Sequence, residues 1–442
     1  MKSREPQQVS ISYLSHDGCA YSEDHQTAVF GALPGETIIG LPIARRRKKL
    51  YLRTTAVENP SPDRVEPVCE AASFCGGCSF QHLRHDAQLG FKQNHLRELL
   101  APLEPLEWLS PVQASPFGYR SKARLGVKYV EKKQRVLVGF REKMKPFIAE
   151  TSSCPVLRAP VNLLIEPLAE LVGGLSIPDQ IPQIEYASGD QGSAIVIRHL
   201  QALTAEDLRR LGDFGLQHDL QIYLQPGGLD STHKLTGDSV VEPGMDLLSY
   251  QLPDQDLRFF FSPQDFTQVN LEVNRLMVNR ALDLLDLSAE DRVLDAFCGI
   301  GNFSLAIART AGEVFGAEQS AGSIQRARDN ALENGVQNVD FQVMDLHAES
   351  LEMSGFSGVN KVLLDPPRSG AEALVKKVAS MDIERVVYVS CNPETLARDV
   401  RHLVSAGFDL RAAGIIDMFP HTTHVESIAL LVHQERSSRS AK

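Results

Sequence analysis

The 442-residue chain has no apolar run approaching the roughly 18 residues needed to cross a bilayer. Its opening, MKSREPQQVS, has no apolar signal core. Neither secretion nor membrane insertion is expected, and the compartment expected is the cytoplasm. No internal repeat or extended low-complexity tract divides the chain, which argues against a solenoid or a disordered array. Hydrophobic residues make up 43% and charged residues 23%, an ordinary globular composition, and the length predicts two to four domains. Cysteines are few and odd in number: seven, with three packed between Cys69 and Cys78. Without a signal peptide, such a cluster favours a metal or catalytic role over disulfides.

The net charge of −11 argues against a uniformly basic nucleic-acid binder, but the charge is unevenly divided. Residues 1–150 carry a net +6 and the remainder a net −17. A basic front end on an acidic body suggests that the front meets a polyanion; two solvated surfaces of different charge are the alternative.

Residues 4–57 contain short apolar segments (QVSISYL, TAVFGAL, ETIIGLPIA, KKLYLRTTAV) separated by Gly, Pro and charged turns. That spacing predicts a small β-barrel. The run Arg45–Lys49 falls between two of these segments, as an exposed hairpin or as a phosphate-tracking edge. A Pro-rich linker follows at 58–67, then the cysteine cluster, then a helical pattern from about Asp86 to Leu100. Residues 117–150 read as basic β ribbons, including Arg120, Lys122, Arg124, Lys143 and Lys145. The stretch 155–260 is mixed, and the terminal ERSSRSAK reads as a frayed tail. From about 261, apolar strands alternate with helices and the chain finishes on two strands close enough to pair antiparallel. This predicts an α/β fold with a doubly wound sheet whose ligands sit at the strands' carboxyl ends. A terminal antiparallel hairpin on such a sheet is the pattern of methyltransferases that use S-adenosylmethionine. The domains expected are therefore 1–57, 58–260 and 261–442.

Four local patterns carry chemistry. Asp295-Ala-Phe297-Cys298-Gly299-Ile-Gly301-Asn302-Phe303 is a strand running into a Gly turn and a helix. Ser304 occupies the place of the third glycine of the dinucleotide fingerprint, and no GK[ST] follows for a nucleotide phosphate. Glu318, 19 residues after Gly299, ends the second strand and is placed to hold both hydroxyls of a ribose. Asp345, after the third strand, is placed to receive an adenine amino group; capping of the following helices is the alternative for both acids. Asp365-Pro-Pro-Arg368 ends the strand KVLLD. An aromatic usually follows the prolines in enzymes that methylate exocyclic amines, so Arg368 disfavours that activity.

Ser390-Cys391-Asn392-Pro393 places a thiol where Asn392 caps a helix and Pro393 opens it. The field there lowers a thiol pKa and favours a nucleophile, a buried structural cysteine being the alternative. In Asp417-Met-Phe-Pro-His421-Thr-Thr-His424-Val-Glu426, Glu426 opens a strand as a general-base candidate. His421 and His424 are candidates by type that are more often surface or packing residues. Together the set fits one reaction. The C5 of uracil is a poor nucleophile until a thiolate adds at C6, and a base must then remove the C5 proton. Folded RNA hides both atoms, so the nucleotide must be splayed out.

With FFFSPQDFTQVN, DAFCGIGNFSLA, LLDPPRSG, VSCNPETLARD and DMFPHTTHVES in place, the chain resembles the bacterial RNA uracil-C5 methyltransferases over nearly its whole length. The resemblance implies that Gln268, Phe297, Asn302, Glu318, Asp345 and Asp365 contact S-adenosylmethionine, with Cys391 the nucleophile and Glu426 the base. Asp365 and Arg368 would orient base and cofactor. From spacing alone, Cys69, Cys75, Cys78 and Cys154 leave four-cysteine zinc and an iron–sulfur cluster both open. The resemblance favours a [4Fe–4S] cluster with a structural role. Cys19 and Cys298 are expected to be structural. The front barrel looks like a TRAM (OB-like) RNA-binding domain, and barrel plus cluster plus catalytic domain is similar to the branch acting on 23S rRNA. DPPR stands where some members have DPAR, with no loss of function expected. The expected partner is 23S rRNA, free or in a precursor particle, with neither membrane nor DNA, and the expected state is a monomer. The alternatives are the same chemistry on a tRNA uridine and a non-catalytic RNA-binding assembly factor.

Overall fold

The computed structural model describes residues 5–236 and 247–436, and the last six residues of the expected tail lie outside it. Among the described residues, no helix is long and apolar enough to cross a membrane. The chain divides into two compact units. The first takes residues 1–90, 115–246 and 420–423; the second takes 91–114, 247–419 and 424–442.

The first unit opens with a six-stranded sheet in the spatial order Gln7–Ser10, Thr37–Arg46, Lys49–Val57, Thr27–Phe30, Ala20–Tyr21, Tyr13–Leu14. Its core is Ile11, Ala20, Val29, Ala32, Ile38 and Leu52, four of them supplied by its strands. The basic run forms the hairpin tip between the two long strands: Arg46 pairs with Lys49, and Arg47 and Lys48 take φ of 46° and 70°. Both turn residues in the left-handed region match the right-handed twist of the strands. The Pro-rich linker is pinned down. Arg64 grips the buried Glu36 through two hydrogen bonds, at 2.5 and 2.6 Å. A second six-stranded sheet runs from Arg135–Gly139 and Lys122–Val130 through Gln183–Ser188, Ser193–Arg198 and Leu220–Gln225 to His233–Lys234.

The second unit carries the doubly wound sheet. Its strands are β1 (Arg292–Ala296), β2 (Glu313–Glu318), β3 (Val339–Val343), β4 (Lys361–Leu364), β5 (Arg385–Ser390), β6 (Phe408–Ile416) and β7 (Glu426–His433). Their spatial order is β3-β2-β1-β4-β5-β7-β6; β1 to β5 are parallel, and β7 runs antiparallel to both neighbours. The order reverses between β1 and β4, opening a crevice at the strands' carboxyl ends. Three helices matter for the site: α1 (Leu271–Leu285), α2 (Ala321–Glu333) and α3 (Pro393–Ser405). Glu107–Trp108 adds an edge strand to β6, and the hairpin Leu248–Leu252/Leu257–Phe261 belongs to this unit rather than to the preceding segment.

One buried ion pair anchors the final connection. Lys92, from the helix His85–Leu100, donates to Asp417 Oδ1 at 2.7 Å and to the Phe419 carbonyl at 2.9 Å, and both charged side chains are 1% exposed. Removing one partner leaves an uncompensated buried charge. Lys92→Met is therefore expected to cost about 3–5 kcal/mol of stability in a denaturant titration. Lys92→Met with Asp417→Leu should recover most of that loss; a single variant as stable as the wild type would show that the pair carries no such charge cost.

Candidate active site

The strand β1 carries Asp295 one residue before its end, and the chain turns sharply through Phe297, Gly299 and Gly301, at φ of 66°, 54° and 90°. Glycine is required where backbone must approach neighbours: a Cβ on Gly301 would lie 3.3 Å from the Phe341 ring. The amides of Phe297 and Cys298 donate to the Ala317 carbonyl at 2.8 and 3.1 Å, locking the turn to β2. Asp295 is fully buried; one oxygen accepts from Ser304 and Oδ1 has no partner. Burial, opposed by Ser304 and aided by Asp365 and Glu318, pushes the Asp295 carboxyl up to about 7.

A cavity of about 590 Å³ opens beside this turn. It is lined by Phe297, Gly299, Glu318, Met344 and His347 and by Asp365, Pro366, Arg368, Cys391, Phe419, His424 and Glu426, together with Phe266 and Gln268. Glu318 accepts from the Ser320 amide at 2.9 Å.

The reactive end is built by strand pairing. In the β5–β7 ladder Ser390 faces Ser427, so the next step outward sets Cys391 opposite Glu426. Asn392 caps α3 by accepting from the Glu394 amide at 3.2 Å, and Pro393 takes the first helical position, as the sequence predicts. The same Asn392 donates to the Arg368 carbonyl at 3.0 Å, tying the Pro-Pro turn to the thiol. Buried Asp399 of α3 holds the next residues, accepting from the Ala371 amide at 2.7 Å and the Tyr388 hydroxyl at 2.6 Å. Arg368 Nη2 lies 3.1 Å from His424 Nδ1.

The electrostatics differ from the expectation at Cys391. Its thiol is not depressed by the helix terminus but pushed up to about 11, first by burial, then by Glu426 and Asp365, with Arg368 opposing. Burial raises Glu426 well above the usual carboxylate range, and Asp365 to about 7. A cluster of acids in a dry pocket overrides the weaker field of the helix end.

Of the expected cofactor residues, Gln268, Phe297, Glu318 and Asp365 line the cavity together with Cys391 and Glu426. Asn302 and Asp345 do not. Asn302 faces inward, where its Oδ1 accepts from the Tyr250 hydroxyl at 2.8 Å and from Asn274 at 3.0 Å. Asp345 is exposed two residues beyond β3, accepting from the His347 amide at 3.0 Å, while Met344, Leu346 and His347 reach the cavity. The sequence reading missed Phe266, 71% exposed at the rim, and His347, whose ring lies 5.3 Å from that of Phe297. An apolar side chain within FFFSPQDFTQVN after the strand's end was the available signal for Phe266. Cys298 is buried beneath the turn, as expected of a structural thiol.

Comparison with known proteins shows the family. A family model described as tRNA (uracil-5-)-methyltransferase matches residues 84–434. The chain belongs to that family. Among relatives of this methyltransferase, a protein of Alkalilimnicola ehrlichii is 47% identical over 434 residues, covering 97% of this chain and 96% of its own. One of Nitrosococcus oceani is 48% identical over 437 residues, with the same shares. Both are named 23S rRNA (uracil(1939)-C(5))-methyltransferase RlmD. The crystal structure of Pyrococcus abyssi tRNA (uracil-54, C5)-methyltransferase in complex with S-adenosyl-L-homocysteine matches with a TM-score of 0.74 at 26% identity, covering 96% of this chain and 99% of that one. The methyltransferase thus has the α/β fold its sequence predicts. The cavity fits S-adenosylmethionine: the Gly turn, the Glu318 carboxylate and the aromatic walls suit a ribose, an adenine and a charged sulfonium.

In the first unit, Cys69, Cys75, Cys78 and Cys154 are free thiols. Burial raises Cys69 and Cys75, and pushes Cys78 up to about 11 and Cys154 to about 12, with the other sulfurs of the set adding to the last three. Gly77 donates its amide to Cys75 Sγ at 3.4 Å, and Gln81 donates to Cys78 Sγ at 3.3 Å. Such thiols fit a cation, which would hold them as thiolates. Lys143 corrects the reading of the basic ribbon. It is turned inward to donate to the carbonyls of Ala72, Cys75 and Cys78 and is not placed to meet phosphate. Arg124, Lys133 and Arg135 are likewise engaged, by Glu185 and Glu150.

Proposed function

We propose that this methyltransferase transfers the methyl group of S-adenosylmethionine to C5 of a uridine in 23S rRNA, the position named for its relatives. The observation that carries the reading is the β5–β7 register, which sets the Cys391 thiol beside the Glu426 carboxyl in one cavity with Asp365 and Arg368. S-adenosylmethionine supplies an electrophilic methyl group. Cys391 sulfur adds to C6 of the uracil, and the electron pair displaced toward C5 makes that carbon the nucleophile. C5 takes the methyl group as the methyl–sulfonium bond breaks and leaves a neutral thioether; Glu426 then takes the C5 proton, the C6–sulfur bond breaks, and the thiolate returns. Gln268, Phe297, Glu318 and Asp365 hold the cofactor, and Arg368 orients the base.

Around this centre, residues 1–57 serve as a TRAM-like RNA-binding module, the rest of the first unit as a cluster-bearing segment and the second unit as the catalytic domain. Cys69, Cys75, Cys78 and Cys154 hold a [4Fe–4S] cluster, which supplies a structural staple and no step of the transfer. Anaerobically purified protein is expected to contain about four irons per chain with visible charge-transfer absorbance; one zinc per chain without iron would overturn the assignment. The protein acts in the cytoplasm, as a monomer, on RNA and not DNA.

The decisive assay supplies unmodified 23S rRNA and bulk tRNA separately and maps 5-methyluridine by mass spectrometry. Product in the rRNA alone supports the reading. Product in tRNA alone favours the tRNA reading, which the likeness to the Pyrococcus abyssi enzyme supports. Protein that binds rRNA and leaves it unmodified favours the assembly-factor reading.

A further inference from the structure

A second cavity lies wholly within the first unit and shares no lining residue with the one that holds Cys391. Its volume is about 550 Å³, within the roughly 300–1,000 Å³ range of small-ligand sites. Its walls are aromatic: Phe30, Tyr51 and Phe140, with the Phe30 and Tyr51 rings stacked 6.2 Å apart. Its floor is the turn Gly76-Gly77, where a Cβ on Gly77 would lie 3.3 Å from the Phe140 ring. Cys19 also lines it. Burial, then Asp17, pushes that thiol up to about 12, so it presents a neutral, apolar surface.

The polar groups around the cavity sort by whether they are already engaged. Asp17 accepts from the Cys19 amide and the Tyr21 hydroxyl, and Glu142 pairs with Lys145 at 3.1 Å. Lys143 is turned into the carbonyls of the cysteine loop. Arg141 is exposed at the rim. The basic hairpin borders the same opening: Arg46 donates to the carbonyl of Met144, a lining residue, at 3.3 Å, and Lys49 stands 4.7 Å above the Tyr21 ring. Flat aromatic walls within a cationic border are the elements of single-stranded nucleic-acid sites, where rings stack on bases and cations follow the backbone.

We propose that this cavity holds an unpaired nucleobase of the rRNA substrate, a base other than the methylated uracil, stacked on Tyr51 and Phe30 while Arg46 and Lys49 meet the flanking phosphates. The inference rests on the RNA-substrate reading and adds a second anchoring point to it. The base held at Cys391 needs its C5 and C6 exposed for chemistry; a base in this cavity meets no reactive group and serves only to fix the register of the RNA.

The test measures binding of a 23S rRNA fragment by fluorescence anisotropy over a salt series. Tyr51→Leu is expected to weaken binding about tenfold at every salt concentration. The slope of log Kd against log salt, S-adenosylmethionine binding and kcat at saturating RNA should be unchanged, and Tyr51→Phe should bind like the wild type. Arg46→Gln with Lys49→Gln should instead flatten the slope by about 1.4, near 0.7 for each lost single-strand phosphate contact. Undiminished affinity in Tyr51→Leu overturns the proposal, as does a change of salt slope in that variant, which would mean the β domain itself is disturbed. Wild-type protein that methylates the rRNA while Tyr51→Leu binds normally refutes the cavity alone. Wild-type protein with no affinity for rRNA refutes the cavity and the RNA reading together.

Discussion

Cys391→Ala is expected to lower kcat by at least roughly three orders of magnitude while S-adenosylmethionine binds normally. Phe297, Gly299 and Glu318 line the same cavity and are not altered by truncation at 391, so cofactor binding is expected to persist. No other cysteine lines the cavity, so no second sulfur can take over. The wild-type enzyme should show kcat/KM rising with pH. The thiol is held up near 11 by burial and by Glu426 and Asp365, so the thiolate is the minor form at neutral pH and grows about tenfold per unit toward that value. Glu426→Gln removes one of the raising charges and should bring the thiol pKa down, measured by thiolate absorbance. Wild-type turnover by Cys391→Ala would exclude the covalent route.

Glu426→Gln is the second large effect, and its signature is an accumulated species as well as a slow rate. Sulfur addition and methylation proceed without the carboxylate, but the C5 proton then has no acceptor and the C6–sulfur bond cannot break. A covalent protein–RNA adduct should build up in near-stoichiometric amount, visible by denaturing gel, with multiple turnover reduced by about 10²–10⁴-fold. A 5-fluorouridine RNA should trap the wild-type enzyme at the same residue, since fluorine cannot leave as a cation. Clean turnover by Glu426→Gln, or a crosslink at a side chain other than Cys391, would remove these assignments.

Local chemistry was readable from the chain; long-range pairing was not. Asn392 as cap, Pro393 as first helical residue and Glu318 at a strand end follow from residue type and neighbours alone. The apolar strands likewise announce a parallel sheet with a terminal hairpin, because buried strands read as continuous hydrophobic runs. The juxtaposition of Cys391 and Glu426 depends on the β5–β7 register, which no local window contains. Asn302 and Asp345 sit in the expected segments, yet a helical turn carries one inward to Tyr250 and two further residues carry the other out to solvent. Lys143 reads as one more ribbon charge until the fold closes the cysteine loop's carbonyls around it. The helix end is local to Cys391, whereas the burial that first raises its thiol, and the acids Glu426 and Asp365 that add to it, come with the folded surroundings.

The ladder between β5 and β7 also limits how this architecture can diversify. Side chains on a strand alternate faces, so inserting or deleting one residue within β7 would swing Glu426 away from the sulfur and bury its neighbour in its stead. The nine-residue connection from Asp417 to Val425 that precedes the strand is no freer, since Lys92 holds Asp417, and Phe419 and His424 line the cavity. Adaptation to a different RNA should therefore be written as point changes in the strand and its approach rather than as indels, a pattern that sequencing of selected variants would reveal directly.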